Sequence, residues 1–338
     1  MIYFDLYNVR SGGGVIQAKN MLMYCNYKNI IIVSKKCNWI SSDNFVNSKI
    51  KFLGRKELFF FRMSILFGLH NKKLLYVNPA GNWASLRYPS YLFLQNMLYY
   101  DKKERVRLGY KLRVKISFTG FIQKFFVRYM GAKPVYLSSE LASYFQQKEL
   151  FPKGLSLHSY SLDKYNNVSA GDSMKILYVS PIISYKNQKE LLKVFTKYNS
   201  TFELHLAGGI YDKQYFDSLN LNIQGVTWHG NLDLDQLHQL RKECGTHLFL
   251  SSCEMLPLTV LENFCYTARH YVLNSSGTAL LLKNYQGVTL LDSISDRDLN
   301  KLFSGILEKP TYRIEEIGNT ISNEKIWEKF YFNLNYYE

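Results

Sequence analysis

Met174-Lys-Ile-Leu-Tyr-Val-Ser180-Pro-Ile-Ile-Ser-Tyr-Lys186-Asn-Gln-Lys-Glu-Leu-Leu-Lys-Val-Phe195 changes period halfway along. Met174–Ser180 is a short, mostly apolar run of strand type, and Pro181 stops it because proline cannot donate to a ladder. From Asn187 to Tyr198 the apolar residues take helical spacing. A strand feeding a helix is half of a βαβ unit, and the same rhythm continues downstream. Phe202–Ala207 reads as a strand running into Gly208-Gly209, then Tyr211–Leu219 as a helix and Val226–Trp228 as a strand. Leu234–Cys244 reads as a helix, His247–Leu250 as a strand, Leu258–Tyr266 as a helix and Tyr271–Leu273 as a strand. A short helix Thr278–Leu282 and a last strand Val288–Leu291 complete the series.

The first half alternates in the same way. Strands are predicted at Ile2–Tyr7, Ile30–Ser34, Leu74–Val77, Tyr91–Leu94 and Pro134–Ser138. Helices are predicted at Val15–Cys25, Glu57–His70, Lys102–Met130 and Glu140–Glu149, with Ser11-Gly-Gly-Gly14 as a turn. Alternating strands and helices predict an α/β fold with parallel sheets covered on both faces. Polar residues from Ser159 to Ser173 read as a linker. The expected domains are therefore residues 1–158 and 174–322, with 159–173 between them and an aromatic helical tail at 323–338. Two Rossmann-like halves facing each other leave a cleft at the carboxyl ends of both sheets, where ligands bind in open α/β folds.

At 338 residues the chain suits about two domains. A hydrophobic share of 47% with 20% charged residues supports sizeable cores and excludes a disordered chain. No charge-free stretch exceeds 15 residues, short of the roughly 20 that a spanning helix needs. The start, with Asp5 inside its apolar run, reads as a strand rather than a signal peptide. Five cysteines without a CxxC pair read as reduced thiols of a cytosolic protein, not as a zinc site.

Charge is uneven. Residues 1–150 hold 24 Lys and Arg against 7 Asp and Glu, whereas residues 151–338 hold 18 against 20. The asymmetry points to an anionic partner for the first half. Within it, Lys102–Met130 carries Val114, Phe118, Phe121, Phe125 and Tyr129 as a helical stripe flanked by Arg113, Lys124 and Arg128. Such a helix lies on an anionic membrane surface or packs its stripe into a core. No nucleic-acid-binding signature accompanies the basicity.

Two loops carry candidate chemistry. Lys186 opens a helix, an arrangement that either binds an anion or leaves a solvated loop lysine. Ser251-Ser-Cys-Glu254-Met-Leu-Pro257-Leu258-Thr259-Val-Leu-Glu262 follows a strand and starts a helix. Eight residues of helix advance about 12 Å, so two carboxylates at this spacing can meet different parts of one polyol ligand. The alternative is an acid complementing the helix dipole plus a surface glutamate.

Together, YVSPIISYKNQKELLKVF, LHLAGG, VTWHGNL and SSCEMLPLTVLEN resemble, in order and spacing, the donor-binding half of the GT-B retaining glycosyltransferases of family 4. The glycine turn Gly12-Gly13-Gly14 resembles that family's N-terminal loop facing the sugar diphosphate and acceptor, and Leu94-Gln95-Asn96 resembles a motif of transferases of surface polysaccharides, lipopolysaccharide or capsule. The resemblance implies that Lys186, with Asn187 beside it, binds the donor diphosphate and that Glu254 holds the transferred sugar. It implies that Pro257, Leu258 and Thr259 line the diphosphate turn and that Glu262 accepts the ribose hydroxyls. Gly208 and Gly209 would let the backbone approach the nucleotide. Trp228, His229, Gly230 and Leu232 would lie by the base, and Gly13 and Gly14 would close over the phosphate from the other domain. The implied enzyme retains anomeric configuration and uses neither a cofactor nor a metal. It would work at the cytoplasmic face of the membrane on a lipid-linked glycan, with a nucleotide-diphosphate sugar as donor.

The chain departs from that pattern. Pro181-Ile182-Ile183 stands where most members place an arginine, and Asn263–Arg269 replaces a small Ala-Gly run. His70 reads as a helix cap rather than the family's sugar-facing histidine, and His229 has a structural reading beside its functional one. A nucleotide-sugar 2-epimerase and a catalytically silent binding partner are the rival readings. A dinucleotide enzyme is disfavoured, because Gln17 breaks the GxGxxG spacing.

Overall fold

A computed structural model of the chain describes residues 1–9, 13–25, 27–40, 48–70, 74–157, 171–255, 258–263, 266, 269–275, 282, 287–307 and 331. Contacts divide the chain into two compact units. One comprises Met1–Tyr100, Val114–Ser161 and Ile321–Glu338; the other comprises Asp101–Arg113 and Leu162–Thr320.

In chain order the elements begin β1 (Ile2–Asp5), α1 (Gly13–Met23), β2 (Asn29–Ser34), β3 (Ser48–Leu53), α2 (Arg55–Leu66), β4 (Leu75–Asn78) and β5 (Ser90–Phe93). There follow α3 (Lys102–Val106), α4 (Tyr110–Tyr129), β6 (Lys133–Tyr136), α5 (Ser139–Gln147) and β7 (Leu155–Ser156). The series continues with β8 (Asp172–Val179), α6 (Gln188–Phe195), β9 (Glu203–Ala207), α7 (Lys213–Asp217), β10 (Val226–Trp228) and α8 (Leu234–Glu243). It ends with β11 (Cys244–Phe249), α9 (Leu258–Asn263), β12 (Arg269–Leu273), β13 (Val288–Leu291) and α10 (Asp296–Leu307).

The first unit holds a seven-stranded sheet in the order β3-β2-β1-β4-β5-β6-β7, parallel throughout. Its central strands are buried on both faces, as Phe4, Ile31, Ile32, Tyr76 and Val77 show. A closed polar network sits where the strand order reverses, between β1 and β4. Buried Asp5 accepts from Arg62 Nε at 2.8 Å, from the Tyr76 hydroxyl at 2.6 Å and from the Tyr7 amide at 3.2 Å. Arg62 lies on α2, so the pair fastens that helix to the carboxyl edge of the sheet. Tyr331, from the tail, belongs to this unit as well. Its hydroxyl donates to the Met21 carbonyl at 2.5 Å, and its ring lies 6.0 Å from that of Tyr27. The rest of the tail, most of the linker and most of the helix expected at Thr278–Leu282 fall outside the described residues.

The second unit holds six parallel strands in the order β10-β9-β8-β11-β12-β13. This is the doubly wound order, with its reversal between β8 and β11. On α6, Leu191, Leu192, Val194 and Phe195 are buried, while Lys189 and Lys193 point outward. Phe195 meets Phe303 of α10, whose ring also stacks on Tyr198 at 4.6 Å and lies 5.7 Å from Phe202.

Every predicted strand is present to within three residues of its expected limits. The departures have local causes. The helix expected over Lys102–Met130 is broken at Arg107–Gly109, because Leu108 turns into the interior and Gly109 is a costly helix residue. The Ser11–Gly14 turn gives way earlier than expected, since α1 starts at Gly13. His70 caps nothing: α2 ends at Leu66, and the ring bonds the Ser64 hydroxyl at 2.7 Å against Tyr3 and Phe61. The aromatic stripe of α4 does not enter the core. Val114, Phe118, Phe121, Phe125 and Tyr129 are exposed, whereas Ile116, Gln123, Phe126 and Val127 are buried.

Phe303→Ala removes a fully buried ring from the contact between α6 and α10. It is expected to cost the second unit about 3–5 kcal/mol, read as a lower urea midpoint for that unit.

Candidate functional site

The chemistry predicted from sequence gathers at the reversal between β8 and β11, where the carboxyl ends of the two strands diverge. After β8 the chain passes Pro181, forms a short 3₁₀ turn at Ser184–Lys186 and enters α6 through Asn187. Asn187 is fully buried in the left-handed conformation, with φ 59° and ψ 30°, which asparagine tolerates better than most residues. Its amide donates to the Leu250 carbonyl at 2.6 Å and to Ser252 Oγ at 2.7 Å. The loop after β8 is thereby stitched to the loop after β11. The Ser252 amide bonds the Tyr185 carbonyl at 2.9 Å, and the Tyr178 hydroxyl bonds the Lys186 carbonyl at 2.5 Å.

This stitching brings Lys186 and Glu254 together. Lys186 Nζ is in ion-pair contact with Glu254 Oε1, which also accepts from Ser251 Oγ at 3.1 Å. The ammonium lies 5.0 Å from the Phe249 ring centre and 5.2 Å from that of Tyr185. Lys186 is 5% exposed, but the Glu254 side chain is 21% exposed, so the acid stays open to solvent while the cation is sunk beneath it. Burial, followed by the charge of Glu254, pushes the Tyr185 phenol well above its ordinary range, so it stays neutral. The amide of Lys189, in the first turn of α6, is taken by the Tyr215 hydroxyl at 2.9 Å. One of the helix N–H groups expected to face an anion therefore already has a partner.

Glu262 sits within α9, and its Oε2 bonds Arg241 Nη2 of α8 at 2.5 Å. Leu258 and Thr259 open α9, partly buried; Pro257 lies outside the described residues. Gly208 has φ +148°, and a Cβ there would stand 2.0 Å from the Ser180 carbonyl oxygen. Its amide bonds the Gly230 carbonyl at 2.8 Å, and Trp228 Nε1 bonds its carbonyl at 3.0 Å. The close approach that Gly208 permits is thus among the ends of β8, β9 and β10. A Cβ on Gly209 would meet the Asn231 side chain at 2.5 Å. Leu232 packs against the cluster of Leu177, Ala207, Leu240 and Cys244. His229 Nε2 lies 3.0 Å from His205 Nδ1, with the rings stacked. Gly13 and Gly14 form the first turn of α1 in the other unit, and a Cβ on Gly14 would meet Gln95 Oε1 and Val9 Cγ1 in ordinary contact at 3.8 Å.

Sequence reasoning missed three contributors here. Ser251 and Ser252 were quoted only as loop residues, yet they bond Glu254 and Asn187. Arg107, eighty residues before Asn187, donates to Asn187 Oδ1 at 2.7 Å. Only its place in a basic segment signalled it, and nothing tied that segment to this loop. Among the described residues, no group of three or more His, Cys, Asp or Glu is placed to hold a metal ion. Among them too, no helix is long and apolar enough to cross a membrane.

Residues 162–322 match the family model described as glycosyl transferases group 1. No curated protein matches the chain by sequence. Among solved structures, HepE of Anabaena in complex with UDP and glucose superposes with a TM-score of 0.72 at 12% identity, covering 99% of each chain. WaaG, a glycosyltransferase involved in lipopolysaccharide biosynthesis, superposes at 0.64 with 12% identity over 91% of each chain. A glycosyltransferase from Rickettsia africae gives 0.60 at 14% identity, covering 99% of this chain and 93% of that one. The fold is GT-B: two parallel-sheet Rossmann-like α/β domains.

The second unit should lose stability in acid. Burial holds His205 and His229 below the ordinary histidine range, and His247 well below it. Above about pH 6.5 both folded and unfolded rings are neutral; below it the unfolded chain takes up protons that the fold refuses. Stability is therefore expected to fall as pH drops from about 7 to about 5.5. The double variant His205→Gln/His229→Asn should weaken that dependence in thermal melts, with the part due to His247 remaining.

Proposed function

We propose that the chain is a glycosyltransferase. It moves a sugar from a nucleotide-diphosphate sugar to a hydroxyl of a lipid-linked glycan in surface-polysaccharide synthesis, at the cytoplasmic face of the membrane. The observation that carries this reading is the meeting of Lys186 and Glu254 across the β8/β11 reversal. The match of residues 162–322 to the group 1 model and the UDP and glucose held by HepE support it.

A departing diphosphate develops negative charge, and a fixed ammonium stabilises that charge more in the transition state than in the ground state. Lys186 is such a group, held by the Asn187 turn beneath the acid. Glu254 accepts hydrogen bonds from the sugar hydroxyls and orients the ring for attack. As the donor enters, its phosphate competes with Glu254 for Lys186, freeing the carboxylate for the sugar. Glu262 keeps its second oxygen for the ribose while Arg241 holds the first. Retention follows from attack on the face the diphosphate leaves, with the departing phosphate oxygen taking the acceptor's proton. The resemblance that suggests retention also implies that no metal takes part.

The exposed aromatic stripe of α4, with Lys111, Lys115, Lys124 and Arg128 on the same helix, supports peripheral attachment to an anionic leaflet. Phe118→Ser/Phe121→Ser is expected to leave the melting temperature unchanged and to reduce co-sedimentation with phosphatidylglycerol vesicles. Equal pelleting of variant and parent would remove this helix from the membrane.

Lys186→Gln and Glu254→Gln, each checked for native circular dichroism, are expected to lower turnover of a nucleotide-sugar donor by about 10²–10³-fold. UDP affinity should fall in the lysine variant and persist in the glutamate variant. Near-normal transfer by both would end the assignment. Turnover of the free nucleotide sugar to an epimer without acceptor would favour the epimerase, and UDP binding without turnover in the unaltered chain would favour a silent binding partner.

A further inference from the structure

Arg107 approaches the Lys186 turn from a segment far away in sequence. Its Nη2 donates to Asn187 Oδ1 at 2.7 Å and to the Ser184 carbonyl at 3.2 Å. Its Nη1 lies 3.0 Å from Glu104 Oε2 and 3.3 Å from Ser252 Oγ, and Glu190 Oε1 is 3.6 Å from Nη2. The Ser184 hydroxyl donates back to the Arg107 carbonyl at 3.2 Å. Asn187 and Ser252 join the two loops and Ser184 opens the turn before Asn187, and one guanidinium addresses all three. Segment Asp101–Arg113 belongs to the same compact unit as these loops.

The contact on Asn187 matters most. That side chain is fully buried, and its amide nitrogen is committed to Leu250, Ser252 and Tyr185. Its oxygen is met by Arg107. A buried oxygen stripped of its donor is costly, and the strain of a left-handed non-glycine residue persists only where the surroundings over-determine it. Asn187 directly follows Lys186, so any relaxation of this turn moves the ammonium relative to Glu254. Pro181-Ile182-Ile183, just upstream, brings no cation of its own.

We propose that Arg107 is a positioning residue for the Lys186–Glu254 pair, acting through Asn187 and Ser184 rather than by touching substrate. It holds the turn in the geometry that the transition state requires. The placement of the turn stands on the contacts alone; its effect on turnover rests on the donor reading above. A planar fork suits two acceptors at once, so lysine at this position keeps the charge but only part of the bonding.

The test uses the full-length chain with Arg107→Ala, Arg107→Lys and, as a surface control, Lys103→Ala. Hydrogen–deuterium exchange without ligand should show the amides of 184–188 exchanging about tenfold faster in Arg107→Ala, the equivalent of ~1.4 kcal/mol. Arg107→Lys should fall between, Lys103→Ala should match the parent, and Asp296–Leu307 should exchange alike in all four. With UDP-glucose hydrolysis as the turnover probe, Arg107→Ala should lose about tenfold or more in kcat, while UDP affinity by calorimetry changes by less than about threefold. Unchanged exchange at 184–188 overturns the inference, as does equal loosening of Asp296–Leu307. So does UDP affinity falling in step with kcat, which would mean that Arg107 grips phosphate itself. If the turn loosens as expected but even the parent chain binds neither UDP nor any other nucleoside diphosphate, the positioning role stands and the donor reading fails.

Discussion

A lysine ammonium taken out of water must have its charge answered at close range, and Lys186 is almost wholly buried. The answer comes from Glu254 and from the faces of Phe249 and Tyr185. These groups come from different loops, so the pair exists only if the loops after β8 and β11 are held in one register. Asn187 supplies that register with its left-handed backbone and its bonds to Leu250 and Ser252. Glycine at 208 lets the ends of β8, β9 and β10 converge beside it, where a Cβ would strike the Ser180 carbonyl. A buried ion pair of this kind adds little to stability beside a packed apolar equivalent. It specifies one arrangement of the strand ends.

Each sheet carries an ion pair at its own reversal point, and the two differ instructively. Asp5 is fully buried, and Arg62, Tyr76 and Tyr7 occupy both of its oxygens. That pair is sealed and serves to fasten α2. Glu254 keeps part of its carboxylate exposed above Lys186. The same electrostatic device is closed to solvent in one sheet and partly open to it in the other.

Most of the strand framework was legible because parallel strands are continuous apolar runs, and MKILYVS or FELHLA leaves little choice of period. The loops that carry Lys186 and Glu254 were legible as strand–helix turns, because each follows a continuous apolar strand. Other features were visible but passed over. Leu299, Leu302, Phe303 and Ile306 of α10 have plain helical spacing, and β3 alternates Lys49 and Lys51 with Ile50 and Phe52 as an edge strand does. Still others were not readable at all. The pairing of Glu262 with Arg241 and the bond from Arg107 to Asn187 depend on three-dimensional proximity that no local period encodes. At Gly208 a Cβ would strike the Ser180 carbonyl, a close approach of strand ends that no local period announces.

The thirteen residues Asp101–Arg113 lie within the first half of the chain but are packed as part of the second body. Evolution by shuffling whole halves, and any laboratory recombination that cuts near residue 160, would therefore separate the second unit from a piece of itself. A hybrid that takes its carboxyl half from a relative would inherit a lysine loop without the arginine that matches it. Grafting this specificity onto another scaffold calls for two crossovers in the donor gene, with the short upstream insert carried along as cargo.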